Sequence, residues 1–413
     1  MTTDADAPAP DALHPDASHV FTRRFGTKDA GGSGKGPLAR MRVSIKALFD
    51  VAGHPTTAGT AALADAPPAA EDAVAVARLR AAGARLVGHT SMTELAYSGL
   101  GVNPSGTPGN PLRPGTIPGG STAGGAVSVA LALADAALGT DTGGSLRIPA
   151  AFCGLVGFKP TQSSVPRGGC VPLSASLDSV GPMARDVETC ARAWRVLADR
   201  KEGGGDAVPG LAAPGLAAPG LVVPANFGRT DTDGEVAEAF DRALDALRGA
   251  GIPVTQEALP SLDAYSDHAV WHYAAVESRA AHAGLWAERR HLIDPRVASR
   301  MARADGVNAV AYRRTLDARE RLIAAFRANL AGRMLVLPTV PIAPPTRDAV
   351  EADYDRLNLL CLRNTTLANV VDGCSISLPV GRRPVGLMLI APGGADEALL
   401  ALAAMLEPAL GSV

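Results

Sequence analysis

Two glycine-rich turns, each delivering a serine, constrain this chain more than any other feature. One reads Pro118-Gly119-Gly120-Ser121-Thr122-Ala123-Gly124-Gly125, the other Gly139-Thr140-Asp141-Thr142-Gly143-Gly144-Ser145-Leu146-Arg147. Glycine pairs permit dihedrals and close approaches denied to other residues, so the backbone aims the hydroxyl that follows. A helix of small residues is expected after Ser121, and a strand-like run, Ala136–Gly139, precedes the second turn. Such alternation of strand, turn and helix fits a layered α/β protein better than an all-β one. Composition agrees: 47% of residues are hydrophobic but only 4% aromatic, so Ala, Val and Leu must pack the core closely.

The rest of the 413 residues is punctuated in the same way. Residues 1–40 read as a flexible lead-in ahead of one domain over 41–413. Within the lead-in, Gly31 to Lys35 has the look of a phosphate loop. It lacks the glycine five residues before Gly34 and the Ser or Thr after Lys35 that such a loop needs. From Arg42 the pattern predicts an apolar strand at Val43–Ile45, a helix over Glu71–Ala82 closed by Gly83, a strand at Arg85–Gly88 and a helix over Asp186–Asp199. Pro-Gly-Leu repeats then mark a tether or loop insertion at 208–220. Helices are expected over Gly234–Ala250, His268–Arg290 and Val307–Leu330. Strands are expected at Val254–Glu257, Met334–Leu337, Ser375–Pro379 and Val385–Ile390, before a closing helix. Strands at both ends of the chain predict one sheet built from both halves.

Several function classes are disfavoured. A net charge of −2 without a basic run lacks the electrostatic footprint of a nucleic-acid binder. The five cysteines (Cys153, Cys170, Cys190, Cys361 and Cys374) are scattered, with no CxxC pair, so neither a zinc knuckle nor a disulfide framework is indicated and a reducing, cytoplasmic setting is expected. The acidic first twenty residues lack the pattern of a secretory signal. Ala123–Leu138, broken by Ser128 and Asp135, is too short to span a membrane. His268, His272 and His282 lack the Glu of an HExxH site, so no metal and no cofactor is expected.

Three side chains stand out chemically. Lys46, after Val43-Ser44-Ile45, either snorkels to the surface or is desolvated; desolvation disfavours the ammonium and frees a lone pair to act as base. Ser121 is either a helix cap or a hydroxyl aimed into a cleft. Ser145 ends a turn whose N–H groups, Thr142 to Ser145, can converge as an anion-binding nest. A carbonyl oxygen lodged there gains roughly 3–4 kcal/mol per donor as it becomes an oxyanion.

Taken jointly, in this order and spacing, these segments resemble the amidase signature family. The resemblance runs through Gly119–Gly125 and Gly139–Thr161. It extends to Val43-Ser-Ile-Lys46, Gly88–Tyr97, Ser176–Met183 and Pro384–Ile390, and is loose over 225–330. It implies a single large α/β domain, a central mixed β-sheet flanked on both faces by helices. It further implies that Ser145 is the nucleophile, that Ser121, on a cis peptide, bridges it to Lys46 as base, and that the N–H groups of Thr142, Gly143, Gly144 and Ser145 form the oxyanion hole. Asp141, Arg147 and Thr122 are implied to brace the site from behind. The reaction implied is hydrolysis of a small-molecule amide through an acyl-enzyme, without metal, nucleic acid or membrane, in a possible homodimer. Alternatives are the glutaminase subunit of a tRNA-dependent amidotransferase and a non-catalytic scaffold of the same fold. Thr122 and Ala123 depart from the family's usual Ser and Gly. The lead-in before Lys46 is short, which implies a more open site or an altered dimer surface; with the Pro-Gly-Leu insertion it favours a free-standing enzyme.

Overall fold

Side-chain alternation along the strands decides where the core and the site lie. A computed structural model describes residues 17–26, 31, 34–200 and 220–413. Among these, eleven strands form one mixed sheet: β1 (Phe21–Arg24), β2 (Arg42–Lys46), β3 (Arg85–Thr90), β4 (Ala136–Asp141), β5 (Val156–Lys159), β6 (Ser179–Ala184), β7 (Leu221–Pro224), β8 (Val254–Glu257), β9 (Met334–Pro338), β10 (Cys374–Pro379) and β11 (Gly386–Ala391). Their order is β1-β3-β2-β4-β6-β5-β10-β11-β9-β7-β8. β2 lies parallel to β3 and β4, and β7 parallel to β8 and β9; the remaining pairings are antiparallel.

Period-2 geometry sends alternate residues to opposite faces. Met334 and Val336 of β9 join Leu387 and Leu389 of β11 in one core, whereas Leu335, Leu337, Met388 and Ile390 join another. Both faces are therefore buried, which is why these strands read as unbroken apolar runs. Trp194 (helix Val187–Leu197), Phe240 (helix Gly234–Gly249) and Leu399 and Leu406 (helix Asp396–Gly411) pack into the first core. Leu262, Phe326 and Leu367, from helices Pro260–Ser266, Ala309–Leu330 and Thr366–Val370, pack into the second.

The same rule places the lysine. Val43 and Ile45 of β2 are buried in the first core, so Ser44 and Lys46 project from the other face. There Ser44 Oγ meets Ser128 Oγ at 2.8 Å, tying β2 to the helix Ala123–Ala130 that follows Ser121. Small residues are required in this helix. A Cβ on Gly124 would lie 2.3 Å from the Val20 carbonyl oxygen.

The α/β architecture and the joining of both halves in one sheet are as expected: β10, from the C-terminal part, pairs with β5. Four local differences have physical causes. Phe21–Arg24, inside the stretch expected to be flexible, forms an edge strand antiparallel to β3. The helix predicted over Glu71–Ala82 begins only at Val74, because Asp72 turns aside to accept from Ala52 N (2.8 Å) and to pair with Arg80 (2.7 Å). The tract His268–Arg290 is two helices, Trp271–Ala281 and Ala283–Arg289, interrupted at His282, whose imidazole is drawn inward to the Pro172 carbonyl at 2.8 Å. Helices Arg347–Ala352, Tyr354–Arg363 and Thr366–Val370 fill a region with no clear sequence periodicity. The Pro-Gly-Leu insertion, apart from Gly220, and residues 1–16 lie outside the described residues.

Trp194 is fully buried and meets Phe158 of β5 edge-on at 5.7 Å, anchoring a helix to the strand. Trp194→Ala is expected to lower unfolding free energy by about 3–5 kcal/mol in urea titration. A loss under about 1 kcal/mol would contradict this packing.

Candidate active site

Lys46 ends β2 with no solvent exposure. Its Nζ lies 2.7 Å from Ser121 Oγ, 2.9 Å from Thr140 Oγ1 and 3.4 Å from the Thr140 carbonyl oxygen. All three partners are neutral. Burial pushes the amine down from its ordinary 10.5 to about 7, against a smaller opposing pull from Cys170, Asp141 and Asp178. A neutral amine has two N–H donors and one lone pair. As an ammonium Nζ donates to all three oxygens; as a neutral amine it can donate twice to Thr140 and accept from the Ser121 hydroxyl.

The peptide Gly120–Ser121 is cis. Gly120 N–H donates to the Gly99 carbonyl at 2.8 Å, and the Ser121 carbonyl accepts from Thr93 N–H at 3.1 Å, so the turn is fixed on both sides. Thr122 sits against Gly139, where its methyl group would lie 2.8 Å from any added Cβ. Its Oγ1 is buried and has no hydrogen-bond partner among the described residues.

Ser145 leaves the second turn just before the helix Arg147–Cys153. Asp141 and Arg147, both fully buried, form a two-point ion pair: Nε to Oδ2 at 3.0 Å and Nη2 to Oδ1 at 2.7 Å. Burial alone would raise the Asp141 pKa, but the Arg147 charge and its hydrogen bonds hold it below the usual aspartate range. The same carboxylate accepts from Gly144 N–H (2.8 Å) and Leu146 N–H (3.1 Å), which shapes the turn. The Gly144 N–H, expected among the oxyanion donors, donates to Asp141 in this structure. The N–H groups of Thr142, Gly143 and Ser145 have no partner among the described residues. Gly144 itself is obligatory, with φ at +136° and a prospective Cβ only 2.2 Å from Thr365 Oγ1.

Supporting residues beyond those expected complete the site. Asp178 accepts from Thr142 Oγ1 (2.5 Å) and from Leu173 and Ser174 N–H, holding the turn to the neighbouring loop. Asn369 receives an Arg147 N–H at 2.7 Å and donates to the Asp141 carbonyl at 2.9 Å. Thr365 and Thr366 hydroxyls both donate to the Gly143 carbonyl. Asp178 stands in a quoted segment of the resemblance; Asn369, Thr365 and Thr366 lie in the C-terminal stretch over which the resemblance recovers, outside its quoted motifs.

Thr142, Gly143 and Ser145 line a cavity of about 940 Å³. Ser145 Oγ has no hydrogen-bond partner among the described residues; Lys46 and Ser121 are fully buried and are not among the residues lining this cavity. The three histidines do not converge: His268 meets Tyr273 Oη (2.8 Å), His272 meets Thr315 Oγ1 (2.7 Å) and His282 the Pro172 carbonyl. No helix of the described residues is long and apolar enough to cross a membrane.

Known proteins resemble this chain over most of its length. A family model described as Amidase matches residues 18–400. The chain is 36% identical over 392 residues to the 2-amino-5-chloromuconic acid deaminase of Comamonas testosteroni, covering 92% of this chain and 84% of that protein. It is 34% identical over 411 residues to a glutamyl-tRNA(Gln) amidotransferase subunit of Natronomonas pharaonis, covering 88% and 94%. A crystal structure of an amidase superposes with a TM-score of 0.80 at 33% identity, covering 91% of this chain and 86% of that one.

Lys46 burial makes a signed prediction about stability. Between the folded value of about 7 and the ordinary 10.5, the unfolded chain binds a proton that the folded chain does not. Wild-type stability therefore gains about 1.4 kcal/mol per pH unit in that window from this group. Comparing wild type with Lys46→Met by urea unfolding removes titrations common to both. The difference should move in favour of wild type with about that slope as pH rises; a flat difference would contradict a depressed lysine.

Proposed function

The chain belongs to the amidase family and is an amidohydrolase of carbon–nitrogen bonds; on that premise we propose that it cleaves a small amide through Ser145, Ser121 and Lys46. The observation that carries this reading is the fully buried Lys46 amine, with Nζ 2.7 Å from Ser121 Oγ and 2.9 Å from Thr140 Oγ1. In the first step Ser121 Oγ takes the Ser145 proton while passing its own to Lys46 Nζ. Ser145 Oγ then bonds to the amide carbonyl carbon. Catalytic hydrogen bonds commonly tighten only with substrate in place, and the approach of Ser145 Oγ to Ser121 Oγ is assigned to that moment.

Negative charge on the carbonyl oxygen is met by the N–H groups of Thr142, Gly143 and Ser145. Run in reverse, the relay protonates the leaving nitrogen, the carbon–nitrogen bond breaks and an acyl group remains on Ser145. Water enters by the same relay and releases the acid. Asp141, Arg147 and Asp178 touch no reacting atom in this scheme; they hold the turn.

A second reading has one observation in its favour, the 34% identity to the amidotransferase protein of Natronomonas pharaonis. There the same relay would act on glutamine and pass ammonia to a partner chain. A co-purifying second protein, with glutamine hydrolysis dependent on it, would establish this reading over the free-standing one.

Ammonia release from a panel of small primary amides tests the assignment. Ser145→Ala should abolish it, and Lys46→Ala should reduce it by at least about 10²-fold, the range of lost general-base catalysis. Release by Ser145→Ala at the wild-type rate would overturn the site. The wild-type kcat/KM should rise with pH through about 7 as Lys46 loses its proton; a profile flat from pH 6 to 8 would count against Lys46 as base.

A further inference from the structure

The cavity lined by Ser145 is also rich in guanidinium groups. Arg296, Arg300 and Arg303 fall at i, i+4 and i+7 along the helix Pro295–Ala302 and the turn Arg303–Gly306, so they share one face, and all three line the cavity. Arg363, from the helix Tyr354–Arg363, lines it too. Against these four cations the described lining residues include one carboxylate, Asp355.

Their counter-charges are incomplete. Arg296 pairs with Glu351 at 2.5 Å. Arg300 is nearly buried (13% exposed), donates to the Tyr97 carbonyl at 2.8 Å and reaches Asp355 at 3.1 Å. Asp355 is itself 88% exposed, so water screens that pair heavily. Arg303 has no carboxylate partner among the described residues; its guanidinium lies 4.3 Å over the Trp271 ring, which also lines the cavity. Arg363 is partly buried; among the described residues it donates to neutral oxygens, those of Asn364, Thr230 and Gly228, and Asp231 is the opposite charge acting on it. Arg300 and Arg363 are partly desolvated and Arg303 is exposed; like charges around one cleft repel each other and are relieved by an anion.

We infer that this cavity binds an amide carrying a carboxylate away from its scissile bond, with Arg303 as the principal contact and Arg300 and Arg363 adding to the field. The inference rests on the proposed hydrolysis at Ser145, because it reads Ser145 and the arginines, which line one cavity, as contacting two parts of one substrate. A planar guanidinium fork matches a carboxylate with two parallel hydrogen bonds, which orients the ligand as well as attracting it. A volume of about 940 Å³ is ample for a short chain spanning both ends. With the carboxylate held on the arginine wall, the amide carbonyl is presented to Ser145 in one direction.

The test uses length-matched probes: the monoamides of succinic, glutaric and adipic acids beside butanamide, pentanamide and hexanamide. Binding is measured calorimetrically to Ser145→Ala protein, and turnover with wild type. The acid monoamides should bind at least about 10-fold tighter than their neutral partners. That preference should weaken with added salt and fall about 10-fold when Arg303→Gln is added. Equal binding of each pair, or a preference that Arg303→Gln does not reduce, would overturn the inference. If wild type turns over neither kind of amide while Ser145→Ala still prefers the acids, the hydrolytic reading fails and the anion site stands.

Discussion

An amine buried without a carboxylate in contact is the constraint on which the rest of the site depends. Lys46 reaches that position because β2 alternates: Val43 and Ile45 take one face into the core, and the lysine is carried to the other. Its partners are two hydroxyls and a carbonyl. The nearest acidic charges are engaged elsewhere, Asp141 by Arg147 and Asp178 by the hydroxyl of Thr142 and two backbone N–H groups. Desolvation therefore dominates and lowers the amine's pKa to about 7.

The Asp141–Arg147 pair does for the second turn what burial does for the lysine. It joins the turn to the C-terminal half through the Thr365 carbonyl and Asn369. A buried ion pair of this kind adds little net stability over an apolar one, yet removing one partner strands a charge, so it fixes one geometry. The helix Thr366–Val370 and its preceding threonine then clamp the Gly143 carbonyl from the other side. The turn that presents Ser145 is thus held by residues more than 200 positions away, and the single sheet built from both halves is what brings them there.

How much of this is legible in the sequence follows from how local each feature is. The glycine-serine turns, Lys46 and the Asp141–Arg147 segment lie in short stretches with distinctive spacing, and strands such as Val254–Glu257 and Met334–Pro338 stand out between turn residues. Gly144 looks like an oxyanion donor in the sequence because only the folded turn shows its N–H directed at Asp141. Asn369, Thr365 and Thr366 are not singled out there, since their roles come from a long-range contact and their segment has no strong period. The start of the helix at Val74 and the break at His282 are set by tertiary partners, Ala52 and Pro172, that no local window contains.

The measurement closest to the central claim is a nitrogen-15 NMR titration of the Lys46 side chain in the folded protein. The account predicts a midpoint near neutrality, about 7, with the amine uncharged at slightly alkaline pH. A midpoint at the ordinary 10.5 would mean that Lys46 remains an ammonium at working pH, and the proton relay described here would have no base.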